Sequence, residues 1–556
     1  MLERAEVEAA LRQLEQREFV RRERRSSVEG EAEYAFRHVL VRDAAYSQIP
    51  RAERSERHAR AAEWIASLGR PDDHAELVAH HYLEAFRYAE AAKRDVSHLA
   101  GPARIALRDA GERAVRLAAY PQATRYLGAA LELTADDAER GELLYLCGSA
   151  RLSVDSTGED LLAEAVTLLR DSGRRELAAR AALLLAKFAW ARVDPEAFED
   201  WLRQIDELTA DDPHSITRLE TLVARSGFYM VGGQYQRAVD DATEALRQLE
   251  EVDRADLVAR SLDVRGTSRC ALGDAGGLDD SRRAIEVGRA GRAIWELHHA
   301  LNNMITSVVQ LGRTREVPAL LERWRALFDE VGGTHFSRIW FFVAQAEYAY
   351  QAGDWDTVSA RLDDYSNAIP HGQSHYLDAG TSTVRALIQH ARGQDAPAII
   401  NADRGLEIAK REQDPQALVP ALCAHGRLCV ETGRLDAASA DWAALMAIKD
   451  VVPDSVTQDG MVHFAFLAVS LDKRTEAAGV VDRCRADTWV AVARAILADD
   501  PAAAADMLDE MGRPTEAADA RLQAGGEHVR AALQFYKSVG AVRYVEQALA
   551  ILETSA

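Results

Sequence analysis

The stretch 36–50, FRHVLVRDAAYSQIP, concentrates side chains whose chemistry could serve a function. His38 stands beside Arg37, and Arg42 follows four residues later. Imidazole and guanidinium groups are suited to contact an anionic group such as a phosphate. The alternative is a structural joint, in which His38 only connects a strand to a helix while apolar neighbours fill a small core. The surrounding elements decide between the two.

A second polar group lies in HHALNNMITSVVQLG, residues 298–312. His298 and Asn302 are four residues apart, as are His299 and Asn303, so each pair shares one face of a helix. Asparagine side chains on the inner helices of a repeat superhelix can clamp a peptide backbone. The four residues are therefore candidates for lining a binding groove, and an ordinary solvated helix face is the alternative.

Other reactive side chains do not complete a known motif. His74 and His81 are seven residues apart and share a helix face, but no HExxH or carboxylate partner makes a zinc set with them. The five cysteines are widely spaced without a CxxC, which favours reduced thiols over a disulfide framework or a zinc site. No GxxxxGK[ST], GxGxxG or nucleophile elbow occurs. We therefore predict no catalytic residue and no metal site.

The net charge of the chain limits the kinds of partner that it can bind. The net charge is −22, while the first sixty residues hold 13 Arg against 12 acidic residues. A strongly acidic chain repels nucleic acid and anionic membranes, and glutamates dilute the arginine run at 21–25. The N-terminus is charged from its third residue, unlike a signal peptide, and no apolar run reaches the ~18 residues of a membrane helix. These features predict a cytoplasmic protein without nucleic-acid or membrane partners.

The strongest signal is a forty-residue repeat. Turn glycines recur at separations of 40, 39, 41, 40 and 40 residues, each followed by small and apolar residues at helical spacing. The six are Gly233, Gly273, Gly312, Gly353, Gly393 and Gly433. The spacing continues through Lys473, where a glycine is expected, to Gly512, and upstream through Asp194 and Gly158 to a first unit at 118–131. About eleven units result.

Each unit is predicted to be a helical hairpin. The first helix ends at a glycine in the left-handed conformation, and the second helix starts at once. Because a lone hairpin cannot cover its own apolar face, the units must stack into a solenoid. The small residues and Gly–aromatic pattern resemble the tetratricopeptide repeat (TPR), whose usual period is 34. The fold is therefore predicted to be an all-α, TPR-like α-solenoid with a period of about 40.

The N-terminal residues follow the order of a winged helix. A helix at 3–16 leads into EFVRRERR, a polar hairpin at 26–33, the returning YAFRH, and a helix stopped by Pro50. Only one helix precedes the first strand, so the element is truncated. We expect a partial winged helix at 1–50, connecting helices at 51–100 and the repeat superhelix at 101–556.

One long stretch carries a family resemblance. REFVRRERRSSVEGEAEYAFRHVLVRDAAYSQIPRAERSERHARAAEWI, residues 17–65, resembles the end of the ATPase module in bacterial multidomain signalling ATPases. These STAND-type NTPases follow a class III adenylate/guanylate cyclase domain or sit in large transcriptional regulators. ALQFYKSVGAVRYVEQALAIL, residues 532–552, looks like the tail of the cyclase-linked group. The chain thus resembles the C-terminal part of such a protein.

The resemblance implies a sensor tail. There, a winged-helix histidine can touch nucleotide phosphates, so His38, helped by Arg37 or Arg42, becomes a nucleotide-sensor candidate. ATP or ADP with Mg²⁺ would enter only through an upstream ATPase domain, since this chain has no P-loop. We expect a non-catalytic module that binds a peptide, protein or small effector on its superhelix and regulates a linked ATPase or cyclase. The alternatives are enzymatic activity carried by a missing N-terminal half, and a free-standing TPR-like scaffold.

Overall fold

The computed structural model describes residues 4–24, 26, 32–69, 71–155, 157–191, 194–212, 215–369, 377–412, 415–449 and 458–554. These residues form 29 α-helices and one two-stranded sheet, which confirms the all-α class. They divide into two compact units, Met1–Thr217 and Arg218–Ala556. None of the described helices is long and apolar enough to cross a membrane.

The N-terminal elements follow the predicted order of helix, strand, strand and helix. They are α1 (Arg4–Gln16), β1 (Val20–Arg22), β2 (Tyr34–Phe36) and α2 (Val39–Ser47), followed by α3 (Arg51–Ala66) and α4 (Pro71–Ala91). The strands are antiparallel, with Val20 opposite Phe36. The predicted wing at 26–33 lies mostly outside the described residues.

Ten helical hairpins follow, each made of a first and a second helix. They are α5 (Ser97–Arg116) with α6 (Tyr120–Glu132), α7 (Asp137–Asp155) with α8 (Glu159–Asp171), α9 (Arg175–Ala191) with α10 (Pro195–Thr209), α11 (Ile216–Val231) with α12 (Tyr235–Gln248), α13 (Ala255–Ala271) with α14 (Gly277–Ala290), α15 (Ile294–Gln310) with α16 (Val317–Val331), α17 (His335–Ala352) with α18 (Trp355–Ala368), α19 (Asp378–Ala391) with α20 (Asp395–Glu412), α21 (Pro415–Glu431) with α22 (Leu435–Ala447), and α23 (Gln458–Ser470) with α24 (Arg474–Val481).

Five shorter helices complete the chain. They are α25 (Thr488–Leu497), α26 (Pro501–Met511), α27 (Pro514–Ala524), α28 (His528–Val539) and α29 (Val542–Thr554). The predicted eleventh turn, at Gly512, joins α26 to α27. We call residues 485–554 the C-terminal segment.

The predicted turn glycines close their helices as expected. All six, and Gly512, have φ between +71° and +85°, a region that side chains with a Cβ rarely adopt. The tenth turn differs in register. Its left-handed residue is Asp472, with φ of +57°, whereas Lys473 has φ of −110° and precedes α24. An aspartate tolerates this conformation better than most residues with a side chain, which explains the missing glycine.

The first helices lie on the inner side of the stack. In the Arg218–Ala556 unit, α13 contacts α15, α15 contacts α17, and α19 contacts α21. The second helices described there make no comparable contacts with one another. Helices that approach each other more closely lie on the inside of a curved stack. Side chains on the free face of α13 to α21 therefore point to the concave side of this unit.

The C-terminal segment lies against the ends of these inner helices. The last carbonyl groups of an α-helix have no partner within the helix. Side chains of the segment donate to carbonyl oxygens in the last turn of four successive first helices, three of which also accept from the N–H group of the turn glycine: Arg485 to Ala271 (3.2 Å), Trp489 to Val309 (2.9 Å), Thr515 to Tyr350 (2.6 Å) and Arg543 to His390 (3.2 Å). Part of the inner face is thus covered by the chain itself.

Candidate functional site

The three N-terminal candidates lie on the surface and do not converge. His38 precedes α2 in an extended backbone conformation, and its exposed side chain makes no capping hydrogen bond. Arg37 pairs with Glu18 at 3.4 Å, while Arg42 pairs with its neighbour Asp43 at 2.7 Å. All of these side chains are exposed, so each pair is weak. Their role in sensing a nucleotide stays a prediction.

Tyr46, from the same stretch, makes the organised contacts. Its hydroxyl lies 2.7 Å from Nε2 of His58, whose Nδ1 lies 2.8 Å from Nδ1 of His81. The Arg54 guanidinium stacks over the Tyr46 ring, 4.6 Å from its centroid. Burial lowers the pKa of His81 to about 4 and lowers that of His58 as well. The stretch therefore holds α2 on α3 and α4 through neutral histidines.

The second set of candidates leads to a buried polar cluster between α13 and α15. His299 places Nδ1 2.7 Å from Oδ2 of Asp263, and the amide of Asn303 donates to the same oxygen at 3.0 Å. Arg260 places Nη1 3.4 Å from that oxygen and 2.8 Å from Nε2 of His299. We call Arg260, Asp263, His299 and Asn303 the α13–α15 cluster.

Several polar groups surround the ring of His299. Its Nδ1 lies 2.7 Å from Oδ2 of Asp263 and 3.1 Å from the Asn303 amide nitrogen, while Nη1 of Arg260 lies 2.6 Å from Nδ1 and 2.8 Å from Nε2. Burial and the neighbouring Arg260 lower the pKa of His299, in spite of Asp263. The ring is therefore neutral, and the guanidinium balances the single charge of Asp263.

His298 has a different position, although it is the adjacent residue. Only 1% of it is exposed, and its Nδ1 accepts from the Trp324 indole at 2.8 Å. Its Nε2 donates to the carbonyl oxygen of Gly332 at 2.9 Å. Both ring nitrogens are thus used inside the hairpin, and burial lowers the pKa of His298. His298 lies in the core, while the partly exposed Asn302 lies beside the cluster, 3.4 Å from Asn303 Oδ1.

One oxygen of the α13–α15 cluster has no donor. The three cluster donors all reach Oδ2 of Asp263, whereas the buried Oδ1 has no hydrogen-bond partner. Oγ1 of Thr267, one helical turn along α13, is likewise buried without one. A buried polar atom of this kind costs about 1–3 kcal/mol unless something binds it. Both atoms can accept a further hydrogen bond.

Aromatic rings and a second carboxyl border the cluster. The Trp340 ring lies edge-on to His299 and tilted against Trp295, with ring centroids 5.1 Å and 5.4 Å apart. Trp295 is 38% exposed and marks the open edge. Burial raises the pKa of the nearby Glu296. The arrangement suits a group that donates several hydrogen bonds and carries positive charge.

Arg260 and Asp263 were missed by sequence reasoning, although the repeat contained a signal. Asp263 and Asn302 occupy equivalent positions of successive units, each ten residues before the turn glycine of its unit. The neighbouring units carry Val223 and Val343 at that position, where a core residue is typical. Comparing equivalent positions would have shown polar residues where the pattern expects apolar ones.

A cleft between α18 and α19 is a second concave feature, separate from the α13–α15 cluster. Its volume is about 120 Å³, and Leu362, Arg385 and Arg392 help to line it. Drug-sized ligands usually need about 300–1,000 Å³. Both arginines also pair with carboxylates, Asp363 and Asp356. The cleft is too small for a typical organic effector.

Solved structures share a helical-repeat organisation with this chain at low similarity. A Rap protein complexed with competence and sporulation factor is 12% identical with a TM-score of 0.41, over 71% of this chain and 99% of that chain. A STAND protein with a tetratricopeptide repeat sensor from Pyrococcus horikoshii is 14% identical with a TM-score of 0.34, over 79% and 59%. The Cut9–Hcn1 heterotetramer of the APC/C is 13% identical with a TM-score of 0.41, over 91% and 95%.

No family model matches the chain, and no curated protein does. Identities of 12–14% and TM-scores below 0.5 transfer neither a ligand nor an activity.

Proposed function

We propose that the chain is a non-catalytic sensor or protein-interaction module, and that it binds a peptide or protein partner at the α13–α15 cluster. The observation that carries the proposal is the buried Oδ1 of Asp263, which has no donor although Oδ2 of the same carboxylate faces three. A partner that donates hydrogen bonds would satisfy it. The site lies on the inner helices, where TPR-like solenoids offer a concave surface.

The charges favour a cationic anchor. Asp263 pairs with Arg260, and Glu296 lies near both Arg260 and Arg254. An arriving lysine, arginine or peptide amino group would take the place of the Arg260 guanidinium beside Asp263, next to the rings of Trp295 and Trp340. Arg260 already shows how such a group fits, because its guanidinium lies against Asp263 and His299. Its side chain is 26% exposed, so it can move aside for a guest.

The partner is proposed to be a peptide or protein segment rather than a small effector. The cleft between α18 and α19 is small, whereas an extended segment can follow the inner helices beyond the cluster. Asn302 lies at the edge of the cluster and could contact the backbone of that segment. The C-terminal segment covers the opposite ends of α13 and α15, at Ala271 and Val309, so the partner would approach from the end that carries Trp295.

The test is a peptide library screened against the full chain and against Asp263→Asn. We expect selected peptides to be enriched in lysine or arginine and to bind the variant at least about tenfold more weakly, because the anchor would lose a charge-assisted hydrogen bond. The matched control is Asp279→Asn on α14, since Asp279 is exposed and pairs with the exposed Arg282. Equal binding by wild type and Asp263→Asn would contradict the proposal.

The link to an ATPase or cyclase is a further part of the proposal. It rests on the resemblance of residues 17–65 and on the exposure of His38, Arg37 and Arg42, which leaves them available to an adjoining domain. In a longer protein that carries such a domain, His38→Ala should accelerate ADP release. Unchanged ADP retention would remove the nucleotide-sensor role and leave the binding module intact.

A further inference from the structure

A second buried cluster, unrelated to the binding site, lies between α20, α21 and α22. His425 and Cys429 are one helical turn apart on α21, and Asp441 faces them from α22. All three side chains are buried. One nitrogen, one sulfur and one oxygen atom of these residues lie within 4.8 Å of one another.

The ring nitrogens of His425 face different carboxylates. Nδ1 lies 2.5 Å from Oδ2 of Asp441, and Nε2 lies 2.8 Å from Oδ1 of Asp403 on α20. Sγ of Cys429 is almost equidistant from the two nitrogens, 3.7 Å from Nδ1 and 3.6 Å from Nε2. Arg434 lies 3.1 Å from Oδ1 of Asp403 and 3.2 Å from Nε2. Asp441 is thus the carboxylate at Nδ1, while Nε2 faces a carboxylate held by an arginine.

We propose that His425 Nδ1, Cys429 Sγ and Asp441 Oδ2 form a zinc-binding site. Imidazole, thiolate and carboxylate together are a donor set that Zn²⁺ accepts readily, whereas Ca²⁺ and Mg²⁺ prefer oxygen alone. Asp403 then acts as a positioning residue, since metal-bound histidines usually donate their other N–H group to a carboxylate. The site has three protein ligands and a fourth position for a water molecule.

One of the distances between the proposed ligand atoms must change before Zn²⁺ can bind. With Zn–N of about 2.0–2.1 Å and Zn–S of about 2.3 Å, tetrahedral ligands lie roughly 3.6 Å apart for N and S and roughly 3.4 Å apart for N and O. The Nδ1–Sγ distance of 3.7 Å already fits. The Nδ1–Oδ2 distance of 2.5 Å must grow, so the Asp441 side chain moves back to admit the ion.

The test uses the full chain, purified without a polyhistidine tag and freed of metal by a chelator. We expect it to bind close to one Zn²⁺ per chain, and Co²⁺ to give the near-ultraviolet absorption band of a cobalt–thiolate bond. Cys429→Ser should lose that band, and His425→Asn should lose stoichiometric binding. Asp403→Asn should weaken binding by about 10–100-fold while keeping the band, as expected for a positioning residue.

The matched control is Cys423→Ala on the same helix. Cys423 is also fully buried, but it packs in the apolar core. This variant should keep both zinc binding and the cobalt band. Substoichiometric zinc binding by the wild type, or a cobalt complex without a thiolate band, would overturn the proposal. Because both results come from the unmodified chain, they decide the matter even where a variant does not fold.

Discussion

Two histidine-containing regions of this chain looked alike in sequence and differ completely in structure. His38 lies on the surface with arginines that pair with separate exposed carboxylates. His299 lies between α13 and α15, where its ring contacts Asp263, Asn303 and Arg260. Exposed ion pairs are worth about 0–1 kcal/mol, whereas breaking a buried pair costs about 3–5 kcal/mol. Residue types suggest chemistry, but burial and fixed partners decide whether a site exists.

The largest expected difference in the free energy of unfolding is between Asp263→Ala and Asp43→Ala. Asp263→Ala removes the buried carboxylate that serves Arg260, His299 and Asn303, and should lower the free energy of unfolding by about 3 kcal/mol. Asp43→Ala loses only an exposed pair with Arg42 and should change it by less than about 0.5 kcal/mol. Urea unfolding of the full chain at pH 7 measures both. Similar losses for the two variants would break the distinction between the regions.

A smaller effect compares His298 with His38. His298→Ala removes the acceptor of the Trp324 indole and the donor to the Gly332 carbonyl, so we expect a loss of about 2 kcal/mol. His38→Ala should be nearly neutral because the His38 side chain is exposed and caps nothing. Thermal unfolding midpoints of the two variants, measured in parallel, provide the check. A neutral His298→Ala would mean that its two hydrogen bonds are not important for stability.

The smallest effect concerns an intermediate case, the half-buried pair of His58 and His81. Burial lowers the folded-state pKa of His81 from its usual 6.5 to about 4, so the unfolded chain binds more protons between these values. Stability should therefore fall as pH drops from 6.5 to 4, by on the order of 1 kcal/mol after allowing for solvent screening.

The groups facing this pair are Tyr46 on α2, Arg54 on α3, and His80, Glu84 and Tyr88 on α4. Glu84 opposes the shift, while His80 reinforces it. His81→Asn keeps a polar side chain but removes the titration, so its stability should depend less on pH in this range. A pH dependence that is unchanged in His81→Asn would show that other groups cause it.

The hairpins could be predicted because their signals are local. A glycine that must adopt positive φ, followed by small residues at helical spacing, fixes a turn and a helix within about fifteen residues of sequence. Where the turn glycine is absent, the predicted position of the turn was wrong by one residue. The left-handed residue of the tenth turn is Asp472, not Lys473. The single N-terminal helix and its strand pair also followed from local patterns.

The sites could be predicted only in part because their members come from different units. His299 and Asn303 stood out by type, but Arg260 and Asp263 lie on the preceding first helix. The proposed zinc ligands show the same limit, since His425 and Cys429 are close in sequence but Asp441 belongs to the next helix. Nothing local distinguishes such residues from the solvated charges that make up much of this chain.

The C-terminal segment has a consequence for how the chain reaches its native state. In most solenoids each unit meets only its neighbours, so assembly can proceed from unit to unit and stability adds up along the array. Here Arg485 bonds to Ala271 and Arg543 to His390, across 214 and 153 residues. Such distant contacts slow folding because a long loop must close before they form.

During synthesis, these contacts at the ends of α13, α15, α17 and α19 can form only after residues 485–543 have emerged. Until then the inner helices have exposed ends, and their apolar surroundings are open to proteases and chaperones. The Arg218–Ala556 unit should consequently mature as one late cooperative event, unlike an array that grows repeat by repeat.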